Sequence, residues 1–435
     1  MATPSLEAYK HISPSSGYPT TVHPHFNPAI AAHVPRDAPH VKFTPPKDRA
    51  FYADPEKKAL LEVAKAVELT ESIGEEVLMF DVELGTVLEN VQLGGLNDKQ
   101  LDELAALVNE RAVVFFRGQE LGTERQVEIF EYLGVLDKHP SQKVPPLLFF
   151  LHGGRVEEEG DVKHVTIRGS SADWRELEKY TPWPQADFHA DTSFEINPPS
   201  YSLLRMEEHP AVGGDTAWVS QYGLYDELSP HMKKFVEGLH AVHTSRLQYD
   251  TIIDSWGAAP NRPPIDTHHP AVRTHPVTGL RALNVNLGFV TGFAELKKAE
   301  SDALLQFSRL HIHSAGDHYV RWKWEVGSIA MWDNRTAIHR VIPGKYTQGT
   351  RRGIRTTVFG EKPYFDPKSE SREERKERLA RESANIDVGK NEKKSPGLEN
   401  PNHNLKTALN AVELASGEKE DNNDKESFVL KRCRT

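Results

Sequence analysis

His189 and Asp191, separated only by Ala190, combine residue types and spacing that could do chemistry. On a β-strand successive side chains point to opposite faces, so a His-x-Asp tripeptide sets one imidazole and one carboxylate side by side, where they can share a metal ion. A third ligand must come from elsewhere. The best candidate is His339, 150 residues on, just after the apolar run Ser328-Ile329-Ala330-Met331-Trp332. Two imidazoles and one carboxylate form the facial set that leaves three positions of an octahedral Fe(II) open. The tripeptide by itself is common, and in most chains its histidine and aspartate do no more than hydrogen-bond in a loop.

The residues that follow separate these readings. Phe188-His189-Ala190-Asp191-Thr192-Ser193-Phe194 precedes Pro198-Pro199 and then Gly213-Gly214-Asp215-Thr216-Ala217-Trp218. Far downstream come Trp332-Asp333-Asn334-Arg335, His339, Arg351, Arg355 and Gly360-Glu361-Lys362-Pro363. In order and spacing, over roughly residues 85 to 365, this series resembles the taurine dioxygenase (TauD/TfdA-like) family of Fe(II)- and 2-oxoglutarate-dependent oxygenases.

The resemblance implies a mainly β fold with flanking helices around a double-stranded β-helix, or jelly-roll, core. It implies His189, Asp191 and His339 as iron ligands, with 2-oxoglutarate and O2 as cosubstrates. Thr216 and Arg351 match the pair that holds the far carboxylate of 2-oxoglutarate. His139, Phe289 and Arg355 match residues around the substrate, Arg355 at the anionic head. Gln185 stands where taurine-specific relatives carry an asparagine and Gln142 where they carry a tyrosine, which argues against taurine itself. The expected substrate is therefore a small anionic organic molecule, first of all an alkyl sulfonate, cleaved to aldehyde and sulfite with succinate and CO2 as coproducts. An alkyl sulfate ester, an aryloxyalkanoate or a purine are alternatives within the same chemistry. A non-catalytic or hydrolytic zinc-binding protein is the rival from another class.

One physical argument stands beside the resemblance. If residues 351–359 form a strand, Arg351, Gly353, Arg355 and Thr357 share one face and Arg352 and Ile354 the other. Two guanidiniums on the inner face of a barrel are costly unless anions meet them. A planar guanidinium also matches a carboxylate bidentately in a way that lysine does not.

Composition sets the outer limits. The 435 residues carry a net charge of -10 and no clustered basic patch outside the tail, so nucleic acid is not an expected partner. The single cysteine, Cys433, rules out an internal disulfide framework and suggests a reducing compartment. No stretch reads as a leader or a membrane span, so the expectation is a soluble, cytoplasmic enzyme, compatible with a homo-oligomer.

The expected organisation is an N-terminal arm with a short helix (1–75), a dioxygenase domain (76–366) and a charged tail (367–435) that continues as a helix over Ser371–Ser383 and is otherwise disordered. Residues 1–50 hold nine prolines, too many for an uninterrupted helix. Residues 54–70 carry helical spacing at Leu60, Leu61, Val63, Ala64 and Val67, and Val77–Phe80, Leu84 and Val87 suggest strands. Asn97 caps a helix bearing Leu101, Leu104 and Val108, and Ala112–Phe116 reads as a buried strand. Thr123 with Gln126 forms a capping box for the next helix. Residues 141–186 suit a loop covering the substrate. Leu228–Val242 reads as a helix starting near Pro230, Leu283–Leu287 as a strand, and Glu300–His311 as a helix with Ala303, Leu304, Phe307 and Leu310 on one face. His268, His269 and His275 read as structural, and His311 and His313 as surface residues at a helix end.

Overall fold

The computed structural model describes residues 44–69, 84–137, 187–246, 248, 264–342 and 350–392, with backbone alone at 154–159, 162–168, 350 and 384–392. The expectations for residues 1–43, Val77–Phe80, His139, Gln142, Gln185 and the tail beyond 392 lie outside them. The chain divides into two units, Met1–Glu377 and Arg378–Thr435, and the fold below belongs to the first. The second is described as helix over residues 378–392, with Arg378 and Glu382 paired one turn apart at 3.1 Å.

In chain order the strands are β1 (Lys65–Glu68), β2 (Thr86–Glu89), β3 (Val113–Phe116), β4 (Gly154–Glu159), β5 (Val162–Arg168), β6 (Pro199–Glu208), β7 (Asp215–Ser220) and β8 (His240–Thr244). There follow β9 (Asp266–Pro270), β10 (Val272–Thr274), β11 (Arg281–Leu283), β12 (Val290–Phe293), β13 (Tyr319–Trp322), β14 (Ile329–Asp333), β15 (Ala337–Ile342) and β16 (Thr350–Phe359). The helices are α1 (Lys58–Leu61), α2 (Asp98–Arg111), α3 (Thr123–Leu133), α4 (Gln221–Asp226), α5 (Pro230–Val236), α6 (Lys298–His313) and α7 (Arg372–Glu392).

Two sheets hold the site. The larger runs β1-β2-β3-β14-β6-β16-β5-β4, and the smaller runs β13-β7-β15 with an antiparallel bridge from His339 of β15 to His189. The chain therefore alternates: β5 large, the bridge at His189 small, β6 large, β7 and β13 small, β14 large, β15 small, β16 large. That alternation is the jelly roll. Strand parity explains its layers, because every second side chain faces the other sheet. Phe115 of β3, Leu204 and Met206 of β6, Trp218 of β7, Trp322 of β13 and Trp332 of β14 form the packing between the sheets. The opposite parity, Val114 and Phe116, Tyr201 and Leu203, Ile329 and Met331, packs with Leu101, Leu104 and Val108 of α2 and with Ile129 and Phe130 of α3. Buried on both faces, β3 and β14 read in the sequence as unbroken apolar runs.

Several local expectations give way to tertiary contacts. The helical spacing after Asp54 yields only one turn, α1, because Lys65–Glu68 pairs with β2 instead. The cap of α2 is the expected one: Asn97 Oδ1 accepts the Gln100 N–H and Gln100 reaches back to the Asn97 N–H, each at 3.0 Å. The second capping box does not form. Gly122 is the cap of α3, and the buried Gln126 turns inward to donate to Thr356 Oγ1 of β16 at 2.8 Å. The helix from Pro230 stops at Val236, since His240–Thr244 joins β9 and β12 in a third sheet. In α6 the inward face is Ser301, Leu304, Leu305, Ser308 and Ile312, which leaves Phe307 and Leu310 exposed. Within 141–186, β4 and β5 form a hairpin that extends the large sheet. No described helix is long and apolar enough to cross a membrane.

Candidate metal centre

The two histidines of the proposed set face each other through the backbone. His189 N–H donates to His339 O at 2.9 Å and His339 N–H to His189 O at 2.8 Å, the closed pair of an antiparallel ladder. Pairing the main chains puts the side chains on one face, with ring centroids 4.4 Å apart. The expectation that His189 and Asp191 share a strand is corrected here: the strand is reduced to this one bridge, and Asp191 comes from the turn after it. Thr192, with φ of 34° in the left-handed region, makes that turn and aims the carboxylate back at the imidazoles.

Asp191 Oδ1 lies 3.9 Å from His189 Nε2 and 3.4 Å from His339 Nε2, and all three ligand atoms fall within 4.8 Å of one another. These separations are long for good hydrogen bonds and suit donors that share one ion. The other carboxylate oxygen, Oδ2, is taken: Ser202 Oγ donates to it at 2.7 Å and the Arg355 guanidinium contacts it. One oxygen is thereby left for a metal.

Burial pushes the Asp191 carboxyl up, but Arg355, the two histidines and Ser202 outweigh it and hold it down at about 2. Burial lowers both imidazoles, His339 well below its ordinary value, so they offer neutral nitrogens. His189 Nδ1–H donates to Asp187 O at 2.9 Å, which turns the Nε2 lone pair toward the centre. His339 Nδ1 is buried without a hydrogen-bond partner among the described residues. Nitrogen and carboxylate donors in this number and charge fit Fe(II). His189, 21% exposed at its side chain, forms the open side, while the ring of His339 packs 4.8 Å from that of Trp332.

Residues that no motif role assigned complete the support. Asn334 Oδ1 accepts both the Asp191 N–H at 3.1 Å and the Trp332 indole N–H at 3.0 Å, and its amide donates to Ser202 Oγ at 2.9 Å. The signal for Asn334 was its place in Trp-Asp-Asn-Arg at the end of an apolar run; for Ser202, on a strand of alternating residues, there was none. Strand parity puts Ser202 and Thr357 on the inner face, 3.2 Å apart across β6 and β16.

Arg351 and Thr216 also come together. Arg351 is fully buried, donating from Nε to Gly214 O at 2.8 Å and from Nη2 to Thr216 Oγ1 at 3.1 Å. Thr216 Oγ1 accepts a second bond, from the Trp324 indole at 2.9 Å, so its own proton is directed elsewhere. Gly214 is needed at this approach: its φ is +72°, and a Cβ there would stand 3.0 Å from Arg351 Cδ. Phe289 lies against the first ligand, edge-on to His189 with centroids 5.9 Å apart.

The remaining histidines take other partners. His275 meets Asp333 at 2.9 Å within a buried cluster in which Arg335 also binds Asp333, Asp48 and Asn109. That cluster anchors the turn between β14 and β15. His269 bonds Glu195 O at 2.9 Å and His311 bonds Leu224 O at 2.7 Å. His313 is exposed at the end of α6, as expected, and contacts Asp187 at 3.0 Å.

The expected strand to Leu287 ends at Leu283, and residues 284–289 turn beneath the first ligand. Leu287 and Gly288 N–H both donate to Phe188 O, at 2.9 and 3.2 Å. A Cβ on Gly288 would stand 2.6 Å from His189 Cβ. Gly288→Ala is thus expected to displace His189, weakening Fe(II) binding by about 10-fold or more, with overpacking costing about 1–3 kcal/mol of stability. Anaerobic Fe(II) titration together with thermal melting checks this, and unchanged iron affinity would mean that His189 does not need its present position.

Comparison with known proteins agrees with this geometry. The profile of the family described as "Taurine catabolism dioxygenase TauD, TfdA family" matches residues 68–357. The chain is 36% identical over 299 residues to "Alpha-ketoglutarate-dependent dioxygenase oryG" of Aspergillus oryzae, covering 64% of this chain and 84% of that one. It is 32% identical over 302 residues to "Alpha-ketoglutarate-dependent sulfonate dioxygenase" of Saccharomyces cerevisiae, covering 68% and 70%. Among solved structures, a taurine dioxygenase from Burkholderia xenovorans superposes with a TM-score of 0.53 at 28% identity, covering 71% of this chain and 94% of that one.

Proposed function

This chain belongs to the TauD/TfdA family of taurine catabolism dioxygenases, and from that membership we propose that it is an Fe(II)- and 2-oxoglutarate-dependent dioxygenase acting on an alkyl sulfonate. One O2 and one 2-oxoglutarate (α-ketoglutarate) are consumed per turnover. One oxygen atom ends in succinate, formed with CO2, and the other in a hydroxyl on the substrate carbon. Hydroxylation beside sulfur gives an adduct that collapses to an aldehyde and sulfite. The observation that carries the proposal is the His189–Asp191–His339 set, with ligand atoms within 4.8 Å of one another. The name of the yeast relative supports a sulfonate as substrate.

Bound Fe(II) supplies the dioxygen chemistry and the oxidising power. The protein's part is placement. His189, Asp191 and His339 would hold the ion, and Ser202 and Arg355 occupy the second oxygen of Asp191. The Arg351 fork and the Thr216 hydroxyl receive the far carboxylate of 2-oxoglutarate, a buried planar match for a planar anion. Arg355, packed over the Trp332 ring with 5.7 Å to its centroid, would present positive charge to the sulfonate. Phe289 gives the substrate an apolar wall next to His189. His139, by its match to the family, and Gln185, by its position four residues before the first ligand, are assigned to the substrate from the sequence alone. A zinc hydrolase would have no use for the Arg351–Thr216 pair.

The test is succinate formation by the purified protein in air with Fe(II), ascorbate and 2-oxoglutarate, against alkyl sulfonates, sulfate esters, aryloxyacetates and xanthine. Sulfite is expected to track succinate one to one with a sulfonate. Coupled turnover with another class alone would overturn the substrate, and failure of Fe(II) and 2-oxoglutarate to bind would overturn the reaction.

A further inference from the structure

We infer that Asp187, which lies outside the ligand set, is the positioning residue for the first histidine and is itself set by a basic clamp from α6 and β15. The inference rests on the iron reading of the triad.

Both ends of Asp187 are committed. Its side chain is 2% exposed, and Oδ2 accepts from Arg309 Nη1 at 2.8 Å. Oδ1 lies 3.0 Å from His313 Nε2 and 3.7 Å from Arg340 Nη1, and accepts the Phe188 N–H at 2.8 Å. Its main-chain carbonyl takes the Nδ1–H of His189 at 2.9 Å. A carbonyl can only accept, so this bond places the proton on Nδ1 and the lone pair on Nε2, the nitrogen turned toward Asp191 and His339. Rotation of the Asp187 peptide would release that constraint.

The clamp draws on segments far apart in sequence. Arg309 and His313 stand on the last turns of α6, in the excursion between β12 and β13, and Arg340 follows the third ligand directly. Phe188 fills the space inside it, edge-on to His313 at 5.5 Å and under the Arg340 guanidinium at 5.2 Å. Burying a carboxylate among basic groups is a poor way to gain stability, because desolvation offsets the attraction. It is an effective way to fix one peptide orientation, and the peptide fixed here carries the acceptor of a metal ligand.

The test uses the full chain with Asp187→Asn and, because Arg309 is part-exposed and cheaper to change, Arg309→Gln. Anaerobic Fe(II) titration measures affinity, thermal melting of the metal-free protein measures stability, and ¹⁵N spectra of histidine-labelled metal-free protein report the His189 tautomer. Asp187→Asn is expected to weaken Fe(II) binding about 10- to 100-fold and Arg309→Gln by a smaller factor, both with loss of the pure Nδ1–H tautomer. The double variant should lose less than the product of the two. Affinity within twofold of wild type in both variants overturns the inference, as does a fall in melting temperature with affinity and tautomer unchanged. If Asp187→Asn does not fold, Arg309→Gln decides alone. Failure of the wild-type protein to bind Fe(II) would instead overturn the iron reading itself.

Discussion

His339→Ala is expected to abolish Fe(II) binding and leave the protein folded. Removing one of three protein ligands costs more than the about 10- to 100-fold lost with an outer partner, so no saturation is expected at Fe(II) concentrations that fill the wild type. The fold should survive for two reasons. The bridge to His189 is made by backbone N–H and C=O groups, which alanine keeps. The lost imidazole leaves a cavity beside Trp332 and Trp218, yet it also removes a buried nitrogen that has no partner among the described residues. The cavity destabilises and the removal of an unsatisfied group compensates in part, so the metal-free melting temperature should move by about 5 °C or less. Anaerobic Fe(II) titration and metal-free melting decide it. Collapse of the apoprotein, or Fe(II) binding that survives, would favour a structural-metal role or a different ligand set.

Arg351→Lys should weaken 2-oxoglutarate binding by about 100-fold while Fe(II) affinity stays within twofold. Arginine spans Gly214 O and Thr216 Oγ1 with two different nitrogens of one planar group. A lysine ammonium at the end of a flexible chain cannot hold both and also match a carboxylate in two places. Truncating one partner of a buried charged pair costs about 2–5 kcal/mol, and a factor of 100 is about 2.7 kcal/mol. Binding of 2-oxoglutarate to the anaerobic Fe(II)-loaded protein measures the effect. An affinity within threefold of wild type would remove Arg351 from its assigned role. A parallel loss of Fe(II) affinity would mean instead that the substitution disturbs β16 as a whole.

How far the sequence was legible depended on the range of the interaction. Residues whose roles rest on spacing within one element were readable: the Asn97 cap, the apolar runs of β3 and β14, and Arg351 and Arg355 on the inner face of β16. Local patterns failed where a distant partner outweighed them. Lys65–Glu68 left its helical spacing to pair with β2, and Gln126 left its capping box for β16. In α6 the face that carries Phe307 and Leu310 stands exposed, and Ser301, Leu305 and Ser308 join Leu304 against the core.

The amino-acid sequence by itself determined the ligand types, their order and their spacing, because a His-x-Asp, a histidine 150 residues later and a run of alternating arginines are written in the order of the residues. The tertiary structure alone decided how these become one site. The backbone bridge that faces His189 with His339, the Ser202–Asn334 support of Asp191, the glycine under His189 and the grip of α6 on Asp187 each join segments from 11 to 150 residues apart. Hydrogen bonds and steric contacts act over a few ångströms in space. Separation along a chain carries no record of which distant residues the fold brings within that reach.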